Sequence, residues 1–178
     1  MSIFLKLKSW QLFLVMLAPV VFMPLIIERD DRLLWFGLIM FLAITLYIGW
    51  LYSVGSQINS KLPPELKKNT IIYKLGYIAT LSYVAVVAFY VIPMQANSTE
   101  YLQMHLNPPL WKTILGNLST FGMLYGFWFT AKVFVLNEFK REVSPMVYLG
   151  PLFLFMLPII GIWILQPKIN EQLLGKNA

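Results

Sequence analysis

Five long stretches of this chain carry no Asp, Glu, Lys, Arg or His: Ser9 to Ile27, Leu33 to Ser60, Leu75 to Thr99, Thr113 to Ala131 and Val143 to Pro167. A charged group at the middle of a bilayer costs at least about 2.5 kcal/mol on insertion scales, so charge-free windows are where a chain can enter lipid. Even a window as short as Ser9 to Ile27 would reach about 28 Å as a helix at 1.5 Å per residue, close to the hydrocarbon thickness. Composition agrees, because 58% of the residues are hydrophobic and 12% are charged, whereas soluble domains need roughly 25% charged residues to cover their surface.

The expectation is one all-α integral membrane domain over residues 1–178, a bundle of five transmembrane helices near 9–27, 33–57, 74–93, 111–136 and 145–166. Lys and Arg set its orientation. With the N-terminus inside, the inside segments hold Lys6, Lys8, Lys61, Lys67, Lys68, Lys74, Lys132, Lys140 and Arg141. The outside segments hold Arg29, Arg32, Lys112, Lys168 and Lys176, a nine-to-five bias that places the C-terminus outside. The first window is the weakest, since Pro19 and Pro24 interrupt it. Treating it as a re-entrant hairpin would erase the bias. Around Ala18 there is no small-residue cleavage pattern, so the segment reads as a retained anchor. All six tryptophans lie near window edges and read as interface anchors.

The loops are short. Glu28-Arg29-Asp30-Asp31-Arg32 reads as a self-neutralising turn, and Leu62-Pro63-Pro64-Glu65 with Lys67 and Lys68 as a turn against anionic headgroups. Asn97, Ser98, Thr99 and Glu100 have capping-box spacing and open a short outer segment that carries His105. The unit Tyr47-x-x-Trp50 with Asn59 recurs as Tyr125-x-x-Trp128 with Asn137, the pattern expected of two parallel helical hairpins related by duplication. An aromatic belt alone would also produce it.

Several chemistries are excluded. There is no cysteine and one histidine, which removes thiolate metal sites, disulfides and bis-histidine haem. All acidic residues lie in loops or tails, so no carboxylate pair works within the hydrocarbon. No catalytic residue, cofactor, metal site or nucleic-acid partner is expected. The most polar stretch inside a window is Asn117, Ser119 and Thr120, followed by Gly122 and Gly126 in G-x-x-x-G spacing around Tyr125. Those six residues are the candidate helix-packing or polar-lining set. Glu100, His105, Gln166 and Asn170 are the candidate polar groups of the outer face.

The ending Gly161-Ile162-Trp163 and Gln166-Pro167-Lys168-Ile169-Asn170, with the Leu-Pro-Pro-Glu turn and Lys140-Arg141-Glu142-Val143, resembles a group of small bacterial polytopic membrane proteins of uncharacterised function. The resemblance implies a multi-pass protein of the bacterial inner membrane and no activity. The leading functional expectation is a non-enzymatic accessory or structural subunit that packs against other membrane-protein subunits, or against itself, within the lipid bilayer. The alternative is a carrier or channel for a neutral or lipidic molecule, lined by the polar set with Thr45 and Tyr47. A surface enzyme using His105 with Glu100 is a third reading.

Overall fold

The computed structural model describes residues 3–22, 32–94, 99, 102 and 106–175. Among them all regular structure is helical. A 3-10 turn at Ile3–Leu5 precedes α1 (Ser9–Val21), followed by α2 (Arg32–Lys61) and α3 (Ile71–Val86). After them come α4 (Leu110–Phe139), α5 (Leu149–Met156) and α6 (Pro158–Leu174). A π turn at Val87–Val91 continues α3. Pro93 follows it and has no N–H to give the ladder, so a locally widened turn is how the helix absorbs the missing bond.

Among the described residues, three helices are long and apolar enough to cross a membrane: Arg32–Lys61, Ile71–Val91 and Leu110–Phe139. They form the frame of the bundle. α3 runs antiparallel to α4, with Gly76 against Gly122, Thr80 donating to the Ser119 carbonyl at 3.2 Å, and Tyr73 meeting Thr130. α2 runs antiparallel to α3, since Gly37 lies under the Ala88 carbonyl near one end and Tyr73 donates to the Leu51 carbonyl nearer the other. α2 and α4 are therefore parallel. At the turn after α2, the Asn59 amide closes the chain on itself: its Nδ2 donates to the Lys68 carbonyl and its Oδ1 accepts from the Lys68 N–H, both at 2.9 Å.

The fifth window departs from expectation. Instead of one straight span, Pro145–Met156 and Pro158–Leu173 are bent by 119° relative to each other. The cause is local: Leu157 precedes a proline, which disfavours helical backbone, and it sits at φ −111°, ψ 76°. Pro158 lacks an N–H but fits the first position of a new helix. The chain therefore turns back. α6 ends beside the end of α2, where the Lys61 ammonium donates to the Leu173 carbonyl, and beside the end of α4, where Asn137 donates to Gln172 at 3.0 Å. The N-terminal turn lies there too, its Phe4 and Leu7 carbonyls bonded to Gln166. Both ends of the described chain thus share one end of the bundle, whereas the five-span expectation puts them at opposite ends.

Two further expectations change, while for the first window the described helix α1 has 13 residues and positions 23–27 lie outside the described residues. Trp50 is fully buried rather than an interface anchor, although Trp10, Trp111 and Trp163 are about half exposed. The matched residues of the suggested repeat have different partners: Trp50 bonds Gln166 while Trp128 packs edge-on against Tyr148, and Asn59 closes a turn while Asn137 holds Gln172. The acidic turn at 28–31, the Asn97–Ser98 cap, Glu100 and His105 lie outside the described residues.

Candidate functional site

The polar side chains that the fold gathers most tightly belong to α6. Gln166 is fully buried. Its Oε1 accepts from Trp50 Nε1 at 3.0 Å, and its Nε2 lies within hydrogen-bonding distance of the Phe4 and Leu7 carbonyls and of Asn170 Oδ1. Asn170 donates to the Leu7 carbonyl at 3.3 Å. These two amides tie three elements together: α2, α6 and the N-terminal turn. Rather than lying at a surface, they are buried beside the N-terminal turn, because the reversal at Leu157 carries them back to that end of the bundle.

Above them is the elbow. Breaking the helix leaves the Phe155 carbonyl without its helical partner, and the Tyr47 hydroxyl donates to it from α2. Irregular backbone at membrane depth persists only where protein groups satisfy it in this way. Gly161 completes the bend, because a Cβ there would lie 1.8 Å from the Leu154 carbonyl oxygen.

A third cluster sits between α2, α3 and α4. Tyr73 is fully buried, stacks on Phe129 at 4.1 Å and meets Tyr77 edge-on at 4.7 Å. Its hydroxyl bonds the Leu51 carbonyl at 2.8 Å and Thr130 at 3.1 Å. Gly55 makes room, since a Cβ would stand 2.2 Å from that hydroxyl. The Tyr73 hydroxyl on α3 thus bonds to α2 and α4 at once, which ties the three helices together.

The polar-lining set does not converge. Asn117 and Thr120 are exposed, Thr120 bonding back to the Gly116 carbonyl at 2.9 Å, while Ser119 is buried. Tyr125 is half-buried against Phe129. Gly122 and Gly126 face neighbouring helices: a Cβ on Gly122 would lie 2.6 Å from the Gly76 Cα, and one on Gly126 2.9 Å from the Tyr77 hydroxyl. Gly122→Ala is therefore expected to force α3 and α4 apart and lower thermal stability in detergent, by roughly 1 to 3 kcal/mol as overpacking usually does. Gly150→Ala is the control. Nothing lies within 4 Å of its Cβ position, so that change should be neutral or slightly stabilising in a helix.

Two clefts are apolar, and the first of them lies at the elbow. One, of about 340 Å³, lies between α1, α2 and α6 and is lined by Phe13, Met16, Ile44, Tyr47 and Ile162 among others. The second, of about 200 Å³, lies between α2 and α3 beside Met40 and Val87. A different cleft, at the end of the bundle, is polar and lined by Asn137, Glu138, Lys140, Lys168, Glu171 and Gln172.

Sequence reasoning missed Tyr73, Thr130 and Gly76, and it missed the elbow. The Leu157-Pro158 pair with Gly161 three residues on was the available signal. No protein-family model, curated protein or solved structure matches the chain.

Electrostatics at the basic end link two loops. Glu142 accepts a hydrogen bond from Lys68, and that bond, with the Lys68 and Lys132 charges, holds its carboxyl below the usual range. A depressed carboxylate stabilises the fold above its unfolded pKa and loses that effect as pH falls through its folded value. Both side chains are substantially exposed, so the contribution is small. Glu142→Gln should lower the melting point slightly at neutral pH, and the gap should close on acidification through the carboxylate range.

Proposed function

We propose that this chain is a non-enzymatic accessory or structural subunit of a bacterial inner membrane, packing against other membrane proteins or a second copy of itself. The observation that carries this reading is the apolar surface left uncovered among the described residues: Leu110, Ile114, Leu118 and Phe121 of α4, and Ile71, Ile72, Leu75 and Ile78 of α3, are at least half exposed. Helix association in lipid proceeds through such faces, aided by small residues. The resemblance of the Gly-Ile-Trp and Gln-Pro-Lys-Ile-Asn ending to small bacterial polytopic proteins is consistent with it. Gentle detergent extraction followed by mass spectrometry tests it. A stoichiometric partner or dimer is expected, and a monomer without companions would overturn it.

The topology belongs to this proposal. Among the described residues, Lys6, Lys8, Lys61, Lys67, Lys68, Lys74, Lys132, Lys140, Arg141 and Lys168 lie at or toward the shared end, against Arg32 and Lys112 at the other. Ten cations against two make the shared end cytoplasmic by the positive-inside rule. α1 starts at that end and α2 at the other, so the chain crosses once between them, three more times along α2, α3 and α4, and then enters and leaves on the cytoplasmic side as the α5–α6 hairpin. Reporter fusions after Lys8, Lys67, Arg141 and Ala178 should all read cytoplasmic. An external C-terminus would restore the fifth crossing. Duplication of the helical hairpins draws support only from the parallel course of α2 and α4.

The apolar clefts favour one second reading, binding or transport of a lipidic molecule. Their lining suits an acyl chain and gives a polar solute almost nothing to bond. Lipid flux in liposomes without flux of neutral polar solutes is the result that would promote it.

A further inference from the structure

We infer that the polar cleft between the ends of α4 and α6 binds a phospholipid headgroup carrying both a phosphate and a primary ammonium. The cleft encloses about 340 Å³ and draws two lysines, two glutamates and two amides from the ends of two helices. Its parts are already ordered. Asn137 is 5% exposed, donates to Gln172 at 3.0 Å and accepts from the Lys140 ammonium at 2.7 Å. Across the cleft the Lys168 ammonium stands 3.9 Å from Glu138, with both side chains about half exposed. At that separation the pair is loose, and a lysine has three donors, so both cations retain hydrogen-bonding capacity for a phosphate.

The charge balance selects the ligand. Lys140 and Lys168 offset Glu138 and Glu171, so a purely anionic headgroup would gain two attractions and two repulsions. A choline headgroup brings a positive charge but no N–H to give a carboxylate. A primary ammonium donates to Glu138 and Glu171 while its phosphate meets the lysines, and that matches the cleft group for group. The surroundings suit a lipid: Ile164, one turn before Lys168, and Phe139, beside Glu138, are both close to half exposed, giving an acyl chain an apolar path away from the polar end.

The backbone supplies a separate argument. Lys140 ends α4 at φ 53°, ψ 26°, the only positive φ outside glycine among the described residues. Glycine is the residue that takes this position without cost. Lysine holds it instead, and its ammonium enters the cleft. Strain retained at one position points to a role for that side chain.

The inference rests on the membrane reading, but only on the basic end meeting a headgroup layer, so its failure leaves sidedness and subunit role untouched. The test is thermal unfolding of the purified full chain in detergent, titrated with ethanolamine, choline and glycerol phospholipids of identical acyl chains. The ethanolamine lipid should raise the melting point and bind about tenfold more tightly than the other two, a difference of about 1.4 kcal/mol. Lys168→Gln should lose that preference. Lys140→Gly should lose it as well while keeping or raising stability in lipid-free detergent, which separates binding from folding. Equal shifts by all three lipids, a larger shift by the glycerol lipid, or an ethanolamine preference that survives in Lys140→Gly would each overturn the inference. The same shift from free phosphoethanolamine would overturn the assignment to a lipid.

Discussion

Gly161→Ala should destabilise the protein strongly, with a melting point in detergent well below that of the parent. A methyl group at this position would sit 1.8 Å from the Leu154 carbonyl oxygen, and backbone, unlike the tip of a side chain, cannot step aside. The α5–α6 angle would have to open. The expected cost lies at the upper end of the roughly 1 to 3 kcal/mol typical of overpacking. The sign of the effect decides between two folds. In a straight fifth span the same substitution would remove a helix-interior glycine and stabilise by up to about 1 kcal/mol. A stabilised Gly161→Ala protein would therefore refute the elbow. Loss of stability accompanied by a C-terminal reporter moved to the other side would show that the elbow is what keeps both ends of the chain together.

Gln166→Met should be the second severe change. Methionine has nearly the volume of glutamine, so the effect reports hydrogen bonding more than packing. Trp50 is fully buried and its indole N–H would be left without its acceptor, while the Phe4 carbonyl would lose its donor. Each buried polar group orphaned in this way costs about 1 to 3 kcal/mol. Asn170 still reaches the Leu7 carbonyl, which limits the damage at the N-terminal turn. Two measurements check the account. Trypsin should cut after Lys6 and Lys8 faster in the variant, because the turn that presents them has lost its anchor. Adding Trp50→Phe should cost less in the Gln166→Met background than alone, since the indole N–H is then already unpaired. Strictly additive losses would mean that the Trp50–Gln166 bond contributes nothing.

Both predictions concern features that hydropathy does not register. The fifth window is uninterrupted by charge, and a window average treats Leu157-Pro158 as two more uncharged residues. Gln166 and Asn170 follow an apolar run and so look like the polar edge of a span, whereas in the fold one bend reverses the direction of everything after it and buries both amides. The glycines show the same division. Gly122 and Gly126 were visible as a small-residue face, but only the fold reveals that Gly122 meets the backbone of Gly76 and that Gly126 lies under the Tyr77 ring. Asn117 and Thr120, paired with them by proximity in sequence, turn outward.

What the sequence determined by itself was the class of protein and the limits of its chemistry. The free energy of placing charge or unbonded backbone in hydrocarbon is large, is paid residue by residue, and so can be read locally: all-helical structure, long apolar helices, and charged residues confined to helix ends and loops. The tertiary structure alone decided where the chain turns back, which polar groups face one another, and to which end of the bundle the last helix returns. Those outcomes depend on contacts between residues more than a hundred positions apart, such as Tyr47 with Phe155 and Trp50 with Gln166. Each is a small energy on its own, and it becomes decisive only once the bundle has brought the partners together.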